Sequence, residues 1–184
     1  MKMKTNLPLI LASGSPRRQQ LLREAGFDFE VVVRPVAETF SSGLSPREVA
    51  VWLSEQKAKA YKDLATRNVV ITADTVVALE NRILGKPADA QEAFDMIRAL
   101  SGKAHQVISG VTLFHKDRLH SFFEETMVWF RDLSDAEIRY YISEYKPFDK
   151  AGAYGIQEWI GMIGVSRIEG DFYNVMGLPV CRLY

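Results

Sequence analysis

The chain has 184 residues, 47% hydrophobic and 25% charged, with 23 basic and 23 acidic side chains and a formal net charge of zero. A chain of this size buries roughly 70% of its unfolded surface, so it needs no disulfide or structural metal, and its single cysteine, Cys181, excludes an intrachain disulfide. The charge balance excludes a broadly basic nucleic-acid-binding surface while leaving room for a small basic pocket.

Residues 7–12 read as a short buried strand. Ser15-Pro16 then opens a helix, with Ser at the cap and Pro at the first position. Leu21, Leu22 and Ala25 give that helix its apolar side, and Gly26 its stop. A second strand is predicted over residues 29–33, then a loop over 35–44. Ser45-Pro46-Arg47-Glu48 is a capping box that starts a helix running to about Leu64. Residues 69–79, rich in Val and Ile, read as strand. Asp89-Ala90-Gln91-Glu92 opens a helix with Ala93, Ile97 and Leu100 on one face. Residues 105–114 and 121–131 form a long hairpin around the polar stretch 115–118. Ser134-Asp135-Ala136-Glu137 is another capping box, followed by the helical stripe Ile138, Tyr141, Ile142 and Tyr145. The remainder reads as Gly-rich strand and turn, with 163–168 the clearest strand.

Interleaved strands and helices give an α/β class, and the hairpin makes the sheet mixed. No linker divides the chain, so one domain over 1–184 is expected. No apolar run reaches the ~18 residues of a membrane span, and residues 7–12 are too short for a signal-peptide core. A cytoplasmic protein is expected, with neither membrane nor nucleic acid as partner. There is no zinc-spaced Cys/His cluster, no P-loop and no G-x-G-x-x-G.

Three features work against the fold that surrounds them: the Arg17-Arg18 pair, Asp74 and Lys57. Arg17 and Arg18 fall in the first helical turn, where a cation opposes the helix dipole at a cost on the order of 0.3–1 kcal/mol each. They are either two solvated arginines or, with the Ser13 and Ser15 hydroxyls and free backbone N–H groups, a phosphate site. Asp74 interrupts an otherwise apolar strand. It is either a carboxylate hydrogen-bonded at a strand bend, or a general base or metal ligand. Lys57 shares the helical arc of Val49, Leu53, Ala60 and Leu64, so it either snorkels along apolar surface or points into a polar cleft. Lys86 in Gly85-Lys86-Pro87 and Glu38 in the 35–44 loop are weak signals alone. His105, His115 and His120 lack telling partners and read as ordinary sheet and turn residues.

Leu11-Ala12-Ser13-Gly14-Ser15-Pro16-Arg17-Arg18 resembles the signature of the Maf family of nucleoside triphosphate pyrophosphatases. The likeness continues, in order, through Glu38, Lys57-Ala58, Ala73-Asp74-Thr75-Val76-Val77, Gly85-Lys86-Pro87 and Ser101-Gly102-Lys103-Ala104-His105-Gln106-Val107. Near the end stand Asp149-Lys150-Ala151-Gly152-Ala153-Tyr154-Gly155-Ile156-Gln157 and Asn174-Val175-Met176-Gly177-Leu178-Pro179. The resemblance implies a Maf/ITPase-like fold: a mixed sheet flanked by helices, in two lobes around a central cleft. It implies cleavage of a nucleotide between the α- and β-phosphates, a divalent metal (Mg²⁺ or Mn²⁺) and often a homodimer. Family members are linked to nucleotide-pool cleansing and to cell division.

The segment ending in Gln157 is similar to the subfamily acting on dTTP and UTP. The subfamily acting on 7-methyl-GTP ranks second, and a non-catalytic nucleotide-binding division regulator is the competing class. On this resemblance Asp74 is the general base, Asp74 and Glu38 hold the metal, and Ser13, Ser15, Arg17, Arg18, Lys57 and Lys86 hold the triphosphate. Arg17, Thr75 and Gln157 carry specificity, Gln157 by offering the base both a donor and an acceptor. The chain departs from the family pattern at Ala37 and Gln56, where acidic residues are usual, and at Glu158-Trp159, where Gly is usual. A Trp there would narrow or retune the base pocket.

Overall fold

A computed structural model describes residues 5–184. The first four residues of the expected 1–184 domain lie outside the described residues. Among the described residues seven strands form one mixed sheet. They are β1 (Leu9–Leu11), β2 (Glu30–Val31), β3 (Val69–Leu79), β4 (Arg82–Leu84), β5 (Ala104–His115), β6 (Arg118–Phe130) and β7 (Val165–Glu169). The order is β2-β1-β3-β5-β6-β7, with β4 also on β3. β1 runs parallel to β2 and β3, and every other pair is antiparallel.

The long strand β3 is the axis, and its two edges differ. On one edge β5 pairs without interruption from Val70 to Ala78. On the other, β1 covers Val69 to Ile71 and β4 covers Val77 to Leu79. Among the described residues the stretch between has no strand partner on that side, and Asp74 stands in it. The core divides at the same place. Leu9, Leu11, Leu21, Leu22, Ile71, Ala73 and Leu178 pack in one cluster. Val77, Ile97, Val107, Phe130, Tyr141 and Ile156 belong to another. A cleft between two apolar centres follows from a strand that changes partners halfway along.

Helix α1 (Pro16–Glu24) starts where expected, with the Ser15 hydroxyl accepting the Arg18 N–H at 3.5 Å. The capping boxes at Ser45 and Ser134 both form, opening α2 (Pro46–Lys59) and α4 (Asp135–Tyr145), and Asp89 caps α3 (Ala90–Leu100). Helix α2 lies against the sheet at Gly110 of β5. A Cβ there would sit 2.2 Å from the Ala50 carbonyl oxygen, so only glycine admits the helix backbone. Two hydroxyls lock its register: Thr72 Oγ1 donates to the Ser54 carbonyl at 2.7 Å, and Ser54 Oγ meets Thr112 Oγ1 at 2.7 Å. One turn further on, this packing delivers Lys57 to the cleft.

Several boundaries differ from expectation. Helix α2 ends at Lys59, short of Leu64, and a separate 3₁₀ turn follows at Leu64–Thr66. The hairpin is longer than expected. Lys116 and Asp117, at φ 46° and 61°, make a two-residue turn and let β6 start at Arg118. The C-terminal part, expected as strand and turn, holds three short helices: α5 (Trp159–Gly164), α6 (Phe172–Met176) and α7 (Val180–Leu183). At four to six residues each, they span less than two turns and leave no apolar period to read. No helix among the described residues is long and apolar enough to cross a membrane.

Candidate active site

A cleft of about 760 Å³ opens at the unpaired stretch of β3, and all ten residues singled out in the sequence line it. They fall into three groups.

The first group is the turn from β1 into α1. Ser13 is buried, and its Oγ accepts the Ser15 N–H at 3.3 Å. Arg17 reaches across to Asp149, with Nη1 3.2 Å from Oδ2. Arg18, expected to hold phosphate, lines the cleft and is bonded here to protein groups. Its Nε donates to the Gly177 carbonyl at 2.8 Å, its Nη1 to the Ala73 carbonyl at 2.8 Å and its Nη2 to Thr75 Oγ1 at 3.0 Å. The guanidinium fills the gap that β1 and β4 leave on β3 and ties that strand to the α1 turn and to the end of α6. Burial pulls it below its ordinary pKa, against the opposing effect of Asp74. Thr75 is drawn into the same network, its hydroxyl 2.8 Å from Ser109 Oγ, so it too faces protein groups.

The second group is acidic. Lys57 Nζ is bonded to Asp74 Oδ1 and lies 2.7 Å from Glu38 Oε1. Its side chain is only 16% exposed, so of the two sequence alternatives Lys57 points into a polar cleft. Lys86 Nζ stands 3.5 Å from the other Glu38 oxygen. Burial pushes the Glu38 carboxyl up, but the hydrogen bond and charge of Lys57, with the charge of Lys86, outweigh it and hold Glu38 below its usual value. Among the described residues no group of three or more His, Cys, Asp or Glu side chains gathers as a metal cage. Two carboxylates already sharing one cation in an open cleft do suit a hard, oxygen-seeking ion that keeps several of its own waters.

The third group is the 149–158 segment. Gln157 is exposed at the cleft wall, and among the described residues none hydrogen-bonds its amide. Trp159, expected to narrow this pocket, instead packs edge-on against Tyr140 at 4.9 Å, and it is not among the lining residues. Sequence reading missed Lys150 here. Its side chain is 8% exposed, and its Nζ lies 2.7 Å from Asp149 Oδ1 and 3.1 Å from Glu158 Oε1. Lys150 sits outside any helix, where no wheel could flag it. The Asp149-Lys150 pair before two glycines was the only cue. Burial pushes the Asp149 carboxyl up, but Lys150 and then Arg17 bring it below its usual range.

A cleft lined by Arg17, Arg18, Lys57, Lys86 and Lys150 together with the carboxylates of Glu38, Asp74 and Asp149 suits a multiply charged anion, with groups able to activate water beside it. The chain belongs to the Maf-like protein family, whose sequence model matches residues 8–184. A dTTP/UTP pyrophosphatase of Cytophaga hutchinsonii is 49% identical over 97% of this chain and 82% of its own. One of Porphyromonas gingivalis is 48% identical over 96% of this chain and 90% of its own. One of Flavobacterium johnsoniae is 45% identical over 96% and 91%. Among solved structures, the Ham1 protein of Staphylococcus aureus aligns with 68% of this chain and 72% of its own at a TM-score of 0.47 and 17% identity.

Proposed function

We propose that this chain is a nucleoside triphosphate pyrophosphatase, a single Maf-like domain that hydrolyses dTTP and UTP to the monophosphate and pyrophosphate. The observation that carries the reading is Lys57 held between Asp74 and Glu38, facing the Ser13–Arg17 turn across one cleft. The relatives' activity, at up to 49% identity, supports the substrate.

In this reading Asp74 accepts the proton of a water attacking the α-phosphorus. The new bond joins water oxygen to the α-phosphorus. The bond to the bridging oxygen breaks, and its electron pair leaves with pyrophosphate. Lys57 fixes the Asp74 carboxylate, so the base is positioned before substrate arrives. Ser13, Ser15, Arg17 and Lys86 hold phosphate oxygens and offset charge on the leaving group. Glu38 and Asp74 would hold a Mg²⁺ or Mn²⁺ ion, which supplies further charge neutralisation when bound. Gln157 offers the pyrimidine N3–H an acceptor and a carbonyl a donor. Arg18 and Thr75 act through the scaffold, fixing β3 on either side of Asp74.

The test is pyrophosphate release from UTP, dTTP, CTP and 7-methyl-GTP with Mg²⁺ or Mn²⁺, read by mass, on wild type and Asp74→Asn. UTP and dTTP are expected to lead. The variant should stay folded, at some cost in melting temperature because Lys57 then keeps only Glu38 as its partner, and lose on the order of 10²–10⁴ in kcat. Near-normal turnover of Asp74→Asn removes Asp74 as base, and nucleotide binding without pyrophosphate release makes the protein a regulator instead.

A further inference from the structure

Gln157 is presented by a tight turn, closed by the Glu158 N–H donating to the Gly155 carbonyl at 3.0 Å. Both ends of that turn are held by one phenol. Tyr141, fully buried on α4, accepts the Gly155 N–H on its hydroxyl oxygen at 3.0 Å and donates its own proton to Glu158 Oε2. The other Glu158 oxygen takes Lys150, which continues through Asp149 to Arg17 at the start of α1. Gly155 is the residue that permits this closure. A Cβ on it would lie 2.9 Å from the Glu158 carboxyl carbon and 3.1 Å from Lys150 Cε. Burial first, and the Glu158 carboxylate second, push the Tyr141 hydroxyl well above its ordinary pKa, so it stays a donor.

Neither Tyr141 nor Glu158 lines the cleft. Any effect they have on substrate must pass through the turn they hold. We propose that Tyr141, Glu158 and Lys150 are positioning residues for the 155–158 turn, setting base selectivity by fixing Gln157 at a constant distance from the phosphate-binding start of α1. The Glu158 carboxylate satisfies a buried ammonium and a buried phenol at once. A turn tied at one end only would let the amide of Gln157 swing, and a misplacement of about 1 Å at a recognition group is enough to cost much of its discrimination.

The inference rests on Gln157 as the base reader, so that reading is tested beside it. The readout is the ratio of kcat/KM for UTP over CTP in wild type, Tyr141→Phe, Glu158→Gln, Gln157→Ala and the double variant Tyr141→Phe with Gln157→Ala. Tyr141→Phe deletes one hydroxyl. It should lower the ratio roughly tenfold, through a raised KM for UTP with kcat retained. Glu158→Gln keeps an acceptor for Tyr141 but loses the charge facing Lys150, and should fall between. Adding Tyr141→Phe to Gln157→Ala should change the ratio no further. A ratio unchanged in Gln157→Ala overturns the base-reading role and the inference with it. A ratio that falls in Gln157→Ala but not in Tyr141→Phe or Glu158→Gln overturns the positioning role alone. So does an equal loss of kcat with both nucleotides, the mark of a merely structural effect. If Tyr141→Phe does not fold, Glu158→Gln decides by the same criteria.

Discussion

His105, in the β5 strand beneath the cleft, should make the protein's stability pH-dependent well above the carboxylate range. The residue is 1% exposed. Its ring stands edge-on to Phe130 and Tyr154, at 5.1 and 5.4 Å. Nε2 lies 2.7 Å from the Tyr154 hydroxyl, and among the described residues nothing meets Nδ1. Burial pushes its pKa from the ordinary 6.5 down to about 4. Between those values the unfolded chain binds a proton that the folded protein does not, so stability falls as pH falls through that window. At 1.36 kcal/mol per pH unit, a gap of about 2.5 amounts to about 3 kcal/mol.

The window is separable. Glu38, Glu125 and Asp149 are held low in the fold, so what they contribute starts to be lost only below the unfolded carboxylate value, near 4.5 at the highest. The assay is urea unfolding at intervals from pH 7.5 to 4.5. With m of about 2 kcal/mol/M, the wild-type midpoint should drop by about 1 M. His105→Gln should be less stable at neutral pH, having lost the ring packing, yet show a nearly flat midpoint over the same window. If both proteins lose the same amount of midpoint between pH 6.5 and 4.5, charging of His105 is not the cause.

Two further substitutions test how the scaffold delivers the site. Gly110→Ala places a methyl 2.2 Å from the Ala50 carbonyl oxygen and 2.6 Å from the Val51 nitrogen, backbone atoms that cannot turn aside. It should cost about 1–3 kcal/mol and lower the melting temperature by about 2–12 °C; an unchanged melt would show that α2 does not ride on β5 as described. Trp52→Phe removes the indole N–H that donates to the Thr39 carbonyl at 3.1 Å, next to Glu38. It should raise the half-saturating Mg²⁺ concentration a few-fold with the maximal rate intact, since the loop that carries Glu38 loses its tether to α2. Superimposable metal titrations would dismiss that role.

Local chemistry was legible wherever one residue type answers one local question. Caps at Ser15, Ser45, Asp89 and Ser134 announce helices because they satisfy N–H groups that the helix cannot, and each one forms. The helical wheel found Lys57 because a charge on an apolar face needs a partner. Asp74 stood out for the same reason. What could not be read was which partner a group would choose. Arg17 and Arg18 are adjacent and alike in sequence, yet one lies along the cleft wall and the other closes a gap in the sheet. That difference follows from β3 changing partners between Ile71 and Val77, and a strand's edge pairing leaves no trace in its own residues. Lys150 and Tyr141 were missed for a related reason: their partner, Glu158, is reached only after the chain has turned at Gly152 and Gly155.

Neutrality at the scale of the chain recurs at the scale of the site. Lys57 faces Glu38 and Asp74, Lys86 faces Glu38, Lys150 faces Asp149 and Glu158, and Arg17 faces Asp149. A triphosphate entering this cleft meets cations that already have anions, so it must exchange partners, and the pairs differ in how readily they yield. Lys57 and Lys150 are 16% and 8% exposed and each touches two carboxylates. Removing one member of such a pair strands a charge away from water. Arg17 and Lys86 make single, longer contacts of 3.2 and 3.5 Å to carboxylates that are 60% and 43% exposed. Exposed pairs of that kind contribute about 0–1 kcal/mol, less than a charge-assisted contact to phosphate offers in return. On the proposed function, Arg17 and Lys86 are therefore the cations a phosphate chain would capture. Lys57 and Lys150 stay where the fold has put them, one holding the acidic pair and the other the turn that carries Gln157.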